Sequence, residues 1–412
     1  MILRLFVKLH GMSKANAPRE FSLLIKPASA DCNLACAYCF YLPKAGLYPK
    51  STRHRMSEAT LHRLISSYMQ TEQSTYSFGW QGGEPTLMGV EFFHKVVQLQ
   101  SRHGRAGAMV ANGLQTNATL ITDDFARFLT EYHFLVGVSL DGPESIHNTY
   151  RKNRSGEGSY KRVVRGIELL QKHGVEFNIL VAVNACNVGK AGEIYRFLLD
   201  LGIHFHQYIP IVEFDEHGRP LPFSITGEQW GRFLMDLFEQ WYPDAGRVSV
   251  RRFDAILTHL VEDKAILCTM GGDCRQYFMI EHNGDVYPCD FFALPELFLG
   301  NVMTDNWSEL QASPRYETFG RQKSGWNQLC TSCPYLSLCM GDCLKHRFYG
   351  ESGVRIDPTR LSWLCSGWKA FYQACLPALE RIGRRIQRQR SRQLEAKLSA
   401  GGRFFGGPEG SR

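Results

Sequence analysis

The sequence predicts an α/β fold with a parallel sheet, followed by a smaller cysteine-rich region. In residues 21–250, apolar runs of strand length alternate six times with segments of helical period. Parallel strands need helical crossovers, so six strand–helix units in series indicate a parallel sheet. After residue 250 the alternation ends, and cysteines, glycines and a hairpin signal replace it. Periodicity leaves open a doubly wound sheet or a partial barrel, because a closed barrel needs eight units.

The individual elements follow in order along the chain. The helix predicted at residues 228–241 has a clear start, because Thr226 and Gln229 have the spacing of a capping box. Asn283-Gly284 separates two strand-like runs at 277–281 and 285–288, which predicts a β-hairpin. The six predicted strands cover residues 21–26, 76–81, 110–117, 134–141, 177–184 and 204–212. The predicted helices cover residues 57–70, 91–101, 122–131, 160–173, 189–201 and 228–241.

Composition points to a cytoplasmic protein with metal or redox chemistry. No apolar run approaches the roughly 18 residues of a membrane-spanning helix. The apolar run at the start is too short for a signal peptide. We therefore expect a cytoplasmic chain that makes no membrane contact. Its 13 cysteines are many for a reducing compartment, where clustered cysteines usually indicate metal binding or redox work.

The net charge of +7 is concentrated in the tail. Residues 381–412 contain nine Lys or Arg and two Glu, so this tail accounts for the whole excess of positive charge. The rest of the chain is near neutral. A solvated helix end followed by a disordered Gly-rich stub at 401–412 explains this pattern. Binding of an acidic partner, or of nucleic acid through its phosphates, is the alternative. The body has no interleaved basic and aromatic stripe, so we expect no nucleic-acid binding.

The first cysteine block supplies three thiolates within eight residues, Cys32, Cys36 and Cys39. A cubane iron–sulfur cluster usually has four cysteine ligands, so three would leave one iron open. Structural zinc is closed by four ligands. With Tyr38 before the last cysteine, the motif resembles the radical S-adenosylmethionine (SAM) signature. The resemblance implies that the open iron binds SAM and that its reductive cleavage yields a 5′-deoxyadenosyl radical. It also implies a partial (β/α)6 barrel with this loop after the first strand.

Other positions resemble the SAM site of the same superfamily. A Gly-Gly pair at a strand end indicates a tight turn or a close approach by a ligand. Here Gly82-Gly83-Glu84-Pro85 resembles the segment that binds the amino end of SAM. A hydroxyl and a guanidinium suit a carboxylate. The residues that the resemblance assigns to SAM binding are Tyr38, Gly83, Glu84, Ser139, Arg151 and Val212.

The second cysteine block has eight members, enough for two closed sites of four thiolates. Spacing alone leaves zinc and iron–sulfur open, and it would place Cys343 with the cysteines just before it. The order of the block resembles the SPASM domain, which holds auxiliary [4Fe–4S] clusters, so the chain would hold three [4Fe–4S] clusters in all. The resemblance divides the ligands into Cys268, Cys274, Cys289 and Cys343 for one cluster and Cys330, Cys333, Cys339 and Cys365 for the other. Cys186 and Cys375 receive no role.

These resemblances predict a division of the chain into four parts. Residues 1–20 would form an N-terminal extension and residues 21–250 the radical SAM partial barrel. Residues 251–376 would form the SPASM domain. Residues 377–412 would form a basic helical or disordered tail.

Within SPASM proteins, the pattern is similar to that of the anaerobic sulfatase-maturating enzymes. Matching segments include Cys39-Phe40-Tyr41, Trp80 to Thr86 and Pro288 to Phe291. The resemblance implies oxidation of a Cys or Ser side chain of a sulfatase to formylglycine. It assigns the base to Asp290 and the substrate interface to Tyr41 and Gln81. We expect the neighbouring anionic cluster to raise the pKa of Asp290.

Two other functions and several partners complete the expectations. A SPASM maturase acting on a ribosomally made peptide precursor would share every cysteine. A zinc-stapled binding module without enzymatic activity would share the second block. For the sulfatase-maturating function, the partners are an unfolded sulfatase or peptide and an electron donor such as flavodoxin or ferredoxin. We expect the protein to be a monomer.

Overall fold

A single ten-stranded sheet runs through both predicted regions of the chain. The computed structural model describes residues 19–49, 53–347, 357 and 359–401. The strands are β1 Ser22–Ile25, β2 Thr75–Trp80, β3 Met109–Thr116, β4 Leu135–Ser139, β5 Phe177–Val183, β6 Phe205–Pro210, β7 Ser249–Val250, β8 Tyr277–Ile280, β9 Asp285–Tyr287 and β10 Gly300–Asn301. Their order across the sheet is β10-β9-β8-β1-β2-β3-β4-β5-β6-β7. Strands β1 to β7 are parallel neighbours in chain order.

Helices connect the parallel strands, as the alternation predicts. Those of the barrel are α1 Glu58–Met69, α2 Val90–His103, α3 Asp123–Glu131, α4 Glu144–Tyr150, α5 Tyr160–Lys172, α6 Ala191–Asp200 and α7 Gly227–Trp241. Those that follow are α8 Arg251–Glu262, α9 Trp307–Ala312, α10 Pro314–Arg321, α11 Gln328–Thr331, α12 Leu336–Cys339, α13 Leu344–Arg347 and α14 Cys365–Gly401. In the described ranges, none of these helices combines the length and apolar character needed to cross a membrane.

The predicted α/β class is confirmed: the six predicted strands, joined by helical crossovers and followed by β7, form an open parallel sheet. Each predicted strand and helix is present, and the ends differ by a few residues. The capping box at Thr226 forms, with Gln229 bonding back to the cap. The hairpin around Asn283-Gly284 also forms, as β8 and β9. The sequence patterns did not predict α4, β7 or α8, which are short or directly follow another element.

The second region joins the barrel through its own sheet. Strand β8 pairs with β1 in parallel, and β9 and β10 extend the sheet antiparallel. In this register Ile25 lies beside Trp80 on one side and Ile280 on the other. The residues that follow β8, β1 and β2 therefore emerge at one edge of the sheet, where open parallel sheets bind their ligands.

The C-terminal helix packs on the barrel at a close crossing of glycines. A Cβ on Gly367 would lie 2.0 Å from the carbonyl oxygen of Gly227, and one on Gly231 would lie 2.7 Å from Cα of Gly367. Helix α14 continues through residues 376 and 377, where a domain boundary was predicted. The four-part division stays a prediction. Residues 1–18 of the predicted extension and residues 402–412 of the Gly-rich stub lie outside the described residues.

Candidate active site

The three-cysteine loop follows β1, as predicted, and is tied to the chain after α4. The backbone N–H of Ala35 donates to the carbonyl oxygen of Lys152 at 2.7 Å. Within the loop, the N–H of Cys39 donates to the oxygen of Cys36 at 3.0 Å. The sulfur of Cys32 accepts from the N–H of Leu34 at 3.3 Å. The three thiols are partly buried on one short loop whose backbone is bonded at both ends.

Burial keeps these thiols from ionising readily, because it raises the pKa of each one. Burial, then Glu84 and the thiolates of Cys36 and Cys39, raise the pKa of Cys32 to about 12. Burial raises the pKa of Cys36 to about 11, although Arg151 opposes it. A thiol bound to a metal ion loses its proton outright. Three partly buried thiols on one short loop, each with a pKa raised by burial, therefore fit a cationic iron centre as their common partner.

The two glycines after β2 pack against the loop that follows β1 and contains Cys32, Cys36 and Cys39, which is called the cluster loop below. A Cβ on Gly83 would lie 2.0 Å from the carbonyl oxygen of Asp31, and one on Gly82 would lie 2.7 Å from that of Ser29. The N–H of Gly83 donates to the oxygen of Ser29 at 2.7 Å, and that of Glu84 to the oxygen of Asp31 at 2.8 Å. Close approach of the loop backbone therefore explains both glycines, without requiring a ligand at that point.

Glu84 links the glycine turn to the next strand. Its Oε1 accepts from the N–H of Thr86 at 3.0 Å, from the Thr86 hydroxyl at 2.6 Å and from the Thr116 hydroxyl at 2.7 Å. Its Oε2 accepts from the N–H of Asn117 at 2.7 Å. Burial raises the pKa of Glu84, and these donors oppose the rise. The carboxylate is thus engaged with the protein, and its predicted contact with SAM stays a prediction.

The remaining predicted SAM residues lie after β4, α4 and β6. Arg151 is buried, and its Nε is 3.0 Å from Oδ2 of Asp141, which also accepts the hydroxyl of Tyr38. The guanidinium lies 5.4 Å from the centre of the Tyr38 ring. Ser139 accepts from the Gln115 amide at 3.3 Å. Val212 is buried. The structure brings Tyr38 and Arg151 together through Asp141, whereas the bond given for Ser139 is to Gln115.

The thiols of the second block fall into two electrostatic groups. In the first, burial raises the pKa of Cys343 to about 12, and the thiolates of Cys268 and Cys289 add to the rise. Burial, then Cys289, Cys343 and Cys268, raise the pKa of Cys274 in the same way. The structure thus brings Cys343 into this group, as the resemblance implies and as spacing alone does not. The ligand assignment itself stays a prediction.

The second group contains the other four thiols. Burial raises the pKa of Cys339 to about 12, with smaller contributions from Asp342, Cys365 and Cys330. The pKa of Cys365 is raised by burial and then by Cys330 and Cys333. Within the described ranges, no three His, Cys, Asp or Glu side chains converge as the ligands of a single ion would.

Asp290 lies where the loop after β9 meets the ends of β1 and β2. Its Oδ1 accepts the hydroxyl of Tyr41 at 2.6 Å, and its Oδ2 accepts the amide of Gln81 at 3.1 Å. The Gln81 amide also lies 3.4 Å from the Tyr41 hydroxyl. The ammonium of Lys26 is 3.0 Å from Oδ1, and that of Lys44 donates to the backbone oxygen of Asp290. The predicted base and both predicted substrate-contacting residues are therefore brought together.

The expected rise in the pKa of Asp290 is not what this arrangement produces. Burial raises the pKa, but the charges of Lys26 and Lys44 and the Tyr41 hydroxyl more than offset burial, so the pKa lies below its ordinary value. The sequence-based expectation included only the neighbouring cluster, and neither lysine was identified as a neighbour of Asp290. Lys26 is the first residue beyond a parallel strand, a position that often faces a site in such folds. That position was the signal that could have identified it.

Comparison with known proteins supports the same picture. A family model described as the radical SAM superfamily matches residues 27–198, and one described as the SPASM iron–sulfur cluster-binding domain matches residues 268–334. The serine-type anaerobic sulfatase-maturating enzyme of Bacteroides thetaiotaomicron is 36% identical over 391 residues, 90% of this chain and 92% of that protein. The cysteine-type enzyme of Clostridium perfringens is 35% identical over 371 residues, 89% of this chain and 99% of that protein. A solved structure, native anSMEcpe with bound AdoMet, has a TM-score of 0.82 and 35% identity, and the match covers 89% of this chain and 100% of that chain.

Proposed function

The chain belongs to the anaerobic sulfatase-maturating enzymes, a family of radical SAM oxidoreductases with a SPASM domain, and we propose that it oxidises a Cys or Ser side chain of a sulfatase to formylglycine. The observation that supports this most is the match over almost the full length of both relatives. One is named serine-type and the other cysteine-type, at nearly equal identity. The proposal therefore includes both residues as substrates.

The cofactors are SAM and iron–sulfur clusters, and we propose particular residues as their ligands. Cys32, Cys36 and Cys39 hold the cluster that binds SAM. The two groups of thiols in the second region hold an auxiliary [4Fe–4S] cluster each, with the ligand sets given above. When bound there, SAM and the first cluster would supply an organic radical able to remove a hydrogen atom from the substrate β-carbon, and the auxiliary clusters would supply an electron acceptor. The proposed SAM contacts are Tyr38, Gly83, Glu84, Ser139, Arg151 and Val212.

Asp290 is proposed as the base that completes the oxidation. The side chain loses two hydrogens in all, and the thiol or hydroxyl proton needs an acceptor beside the reacting carbon. A pKa below the ordinary value keeps Asp290 ionised and able to accept that proton. Tyr41 and Gln81 orient its two oxygens. Tyr41 belongs to the cluster loop and Asp290 directly follows Cys289, which supports a shared site for radical formation and proton removal.

Peptide oxidation under oxygen-free conditions tests this function. The reconstituted protein is given SAM, a strong reductant and peptides that contain Cys-x-Pro-x-Arg or Ser-x-Pro-x-Arg. Mass spectrometry should find the Ser peptide lighter by two hydrogens, and the Cys peptide altered in the same way with sulfur replaced by oxygen. A peptide with Ala at the target position is the control. Release of deoxyadenosine with both peptides unchanged would refute sulfatase maturation.

We also propose the form of the substrate, the electron donor and the oligomeric state. The substrate is expected to be an unfolded sulfatase or a peptide from it, since a buried site must receive an extended segment. The electron donor is proposed to be a flavodoxin or ferredoxin, and the protein to be a cytoplasmic monomer. Size-exclusion chromatography with light scattering and reduction by purified carriers test the last two points.

A further inference from the structure

A buried lysine lies between the cluster loop and the second region. Lys26 is the first residue after β1, and its side chain is 1% exposed. Its backbone N–H donates to the oxygen of Ile280 at 2.8 Å, which extends the pairing of β1 with β8. The chain then continues directly into the loop of Cys32. Lys26 is thus joined to the radical-forming loop by sequence and to the second region by the sheet.

The ammonium of Lys26 is shared between two carboxylates of the second region. It lies 3.0 Å from Oδ1 of Asp290 and 3.7 Å from Oε1 of Glu281. It also lies 4.2 Å from the centre of the Tyr41 ring, which gives a cation–π contact. Glu281 is the first residue after β8, and Gln81 is the first after β2. Glu281, Lys26 and Gln81 therefore emerge side by side from three adjacent parallel strands.

The fold leaves space for this side chain. A Cβ on Gly82 would lie 3.2 Å from Cβ and 3.3 Å from Cγ of Lys26. The glycine turn therefore accommodates the stem of the lysine as well as the loop backbone. A buried ammonium is costly unless it is paired. Asp290 and Glu281 supply this pairing for the charge of Lys26.

The two carboxylate oxygens of Asp290 have different partners. Oδ1 accepts the Tyr41 hydroxyl and faces the Lys26 ammonium, so its lone pairs are engaged. Oδ2 has the Gln81 amide as its partner at 3.1 Å and keeps accepting capacity. Lys44 donates to the backbone oxygen of Asp290 rather than to its carboxylate. Lys26 is thus the cation that lies against the same oxygen that accepts the Tyr41 hydroxyl.

We propose that Lys26 is a positioning residue for the oxidation. By binding Oδ1 of Asp290, it directs Oδ2 toward the substrate proton, and Glu281 holds the ammonium in place. This inference rests on the proposed function. Without Lys26, radical formation continues, but the carboxylate is no longer oriented to take the proton. SAM cleavage and product formation then become uncoupled.

The test compares two products in one reaction with Lys26→Met. Formylglycine and deoxyadenosine are measured together, with iron content, for the reconstituted full chain and the Cys and Ser peptides. We expect iron content and deoxyadenosine to stay near the wild-type values. Formylglycine per deoxyadenosine should fall roughly tenfold or more, because a positioned base contributes typically 10²–10⁴-fold. Lys95→Met, at an exposed lysine paired with Glu58 at 3.7 Å, is the matched control and should keep the wild-type ratio.

A second variant protects the test against misfolding. Glu281→Gln keeps Lys26 but removes one of its two partners, so the same ratio should fall less steeply. An unchanged ratio in both variants would overturn the proposal, as would a parallel loss of iron, deoxyadenosine and product. If the wild-type protein itself forms no formylglycine, the proposed function fails instead, so the two failures are distinguishable.

Discussion

Asp290 is held by side chains from three separate segments of the chain. Tyr41 comes from the cluster loop, Gln81 from the end of β2 and Lys26 from the end of β1. The first two and Asp290 itself were identified from the sequence because each lies within a short matching motif. Lys26 was not, because a lysine at a strand end is usually solvent-exposed. Only the pairing of β1 with β8, across about 250 residues of chain, brings it to the two carboxylates.

Replacing the base should separate the two halves of the reaction. Asp290→Asn keeps the shape of the side chain, and its one remaining carbonyl oxygen can still accept a hydrogen bond from Tyr41 or from Gln81. It removes the ability to accept a proton. We expect SAM binding and deoxyadenosine formation to persist, while formylglycine falls roughly 10²-fold or more. Deoxyadenosine by chromatography and formylglycine by mass spectrometry measure this. Wild-type yields of formylglycine would remove Asp290 from the mechanism.

At the scale of elements, the contact between the cluster loop and the glycine turn fixes the loop of the three cysteines on the sheet. Both segments follow neighbouring parallel strands, and three backbone hydrogen bonds join them: Gln81 to Ile25, Gly83 to Ser29 and Glu84 to Asp31. The strands were predictable because their apolar runs are bounded and periodic. The close approach was not, since a Gly-Gly pair in sequence does not reveal what approaches it. Strand β7 was missed because two residues give no period.

A methyl group at Gly83 should therefore damage the first cluster selectively. In Gly83→Ala, the new Cβ would lie 2.0 Å from the oxygen of Asp31, and the loop must move. Overpacking of this kind costs about 1–3 kcal/mol. We expect a lower melting temperature and an iron content that falls toward that of the auxiliary clusters alone.

The control for this variant is a glycine with free space around it. Gly189→Ala adds a Cβ with nothing within 4 Å, so stability and iron content should stay at wild-type values. If Gly83→Ala also retained full iron and SAM cleavage, the loop would be more adaptable than these contacts indicate.

The whole molecule joins a radical-forming barrel and a cluster-bearing second region through one sheet. Family motifs predicted the two regions but not the sheet that joins them. The grouping of Cys343 with Cys268, Cys274 and Cys289 agrees with those motifs, although spacing opposes it. The path of α14 could not be read from the sequence. The start of this helix packs on the barrel through Gly367. The arginine-rich sequence that follows is compatible with a solvated helix and with a disordered tail, so it did not predict that α14 extends to Gly401.

Deoxyadenosine release is the most direct measure of the central claim, which is that the loop of Cys32, Cys36 and Cys39 cleaves SAM. The anaerobically reconstituted chain is compared with a variant in which these three cysteines are replaced by alanine. The wild-type protein should form deoxyadenosine and methionine when SAM and a strong reductant are added. The variant should form neither, although it keeps the iron of the second region. A wild-type protein without deoxyadenosine, or a variant that forms as much, would contradict the account.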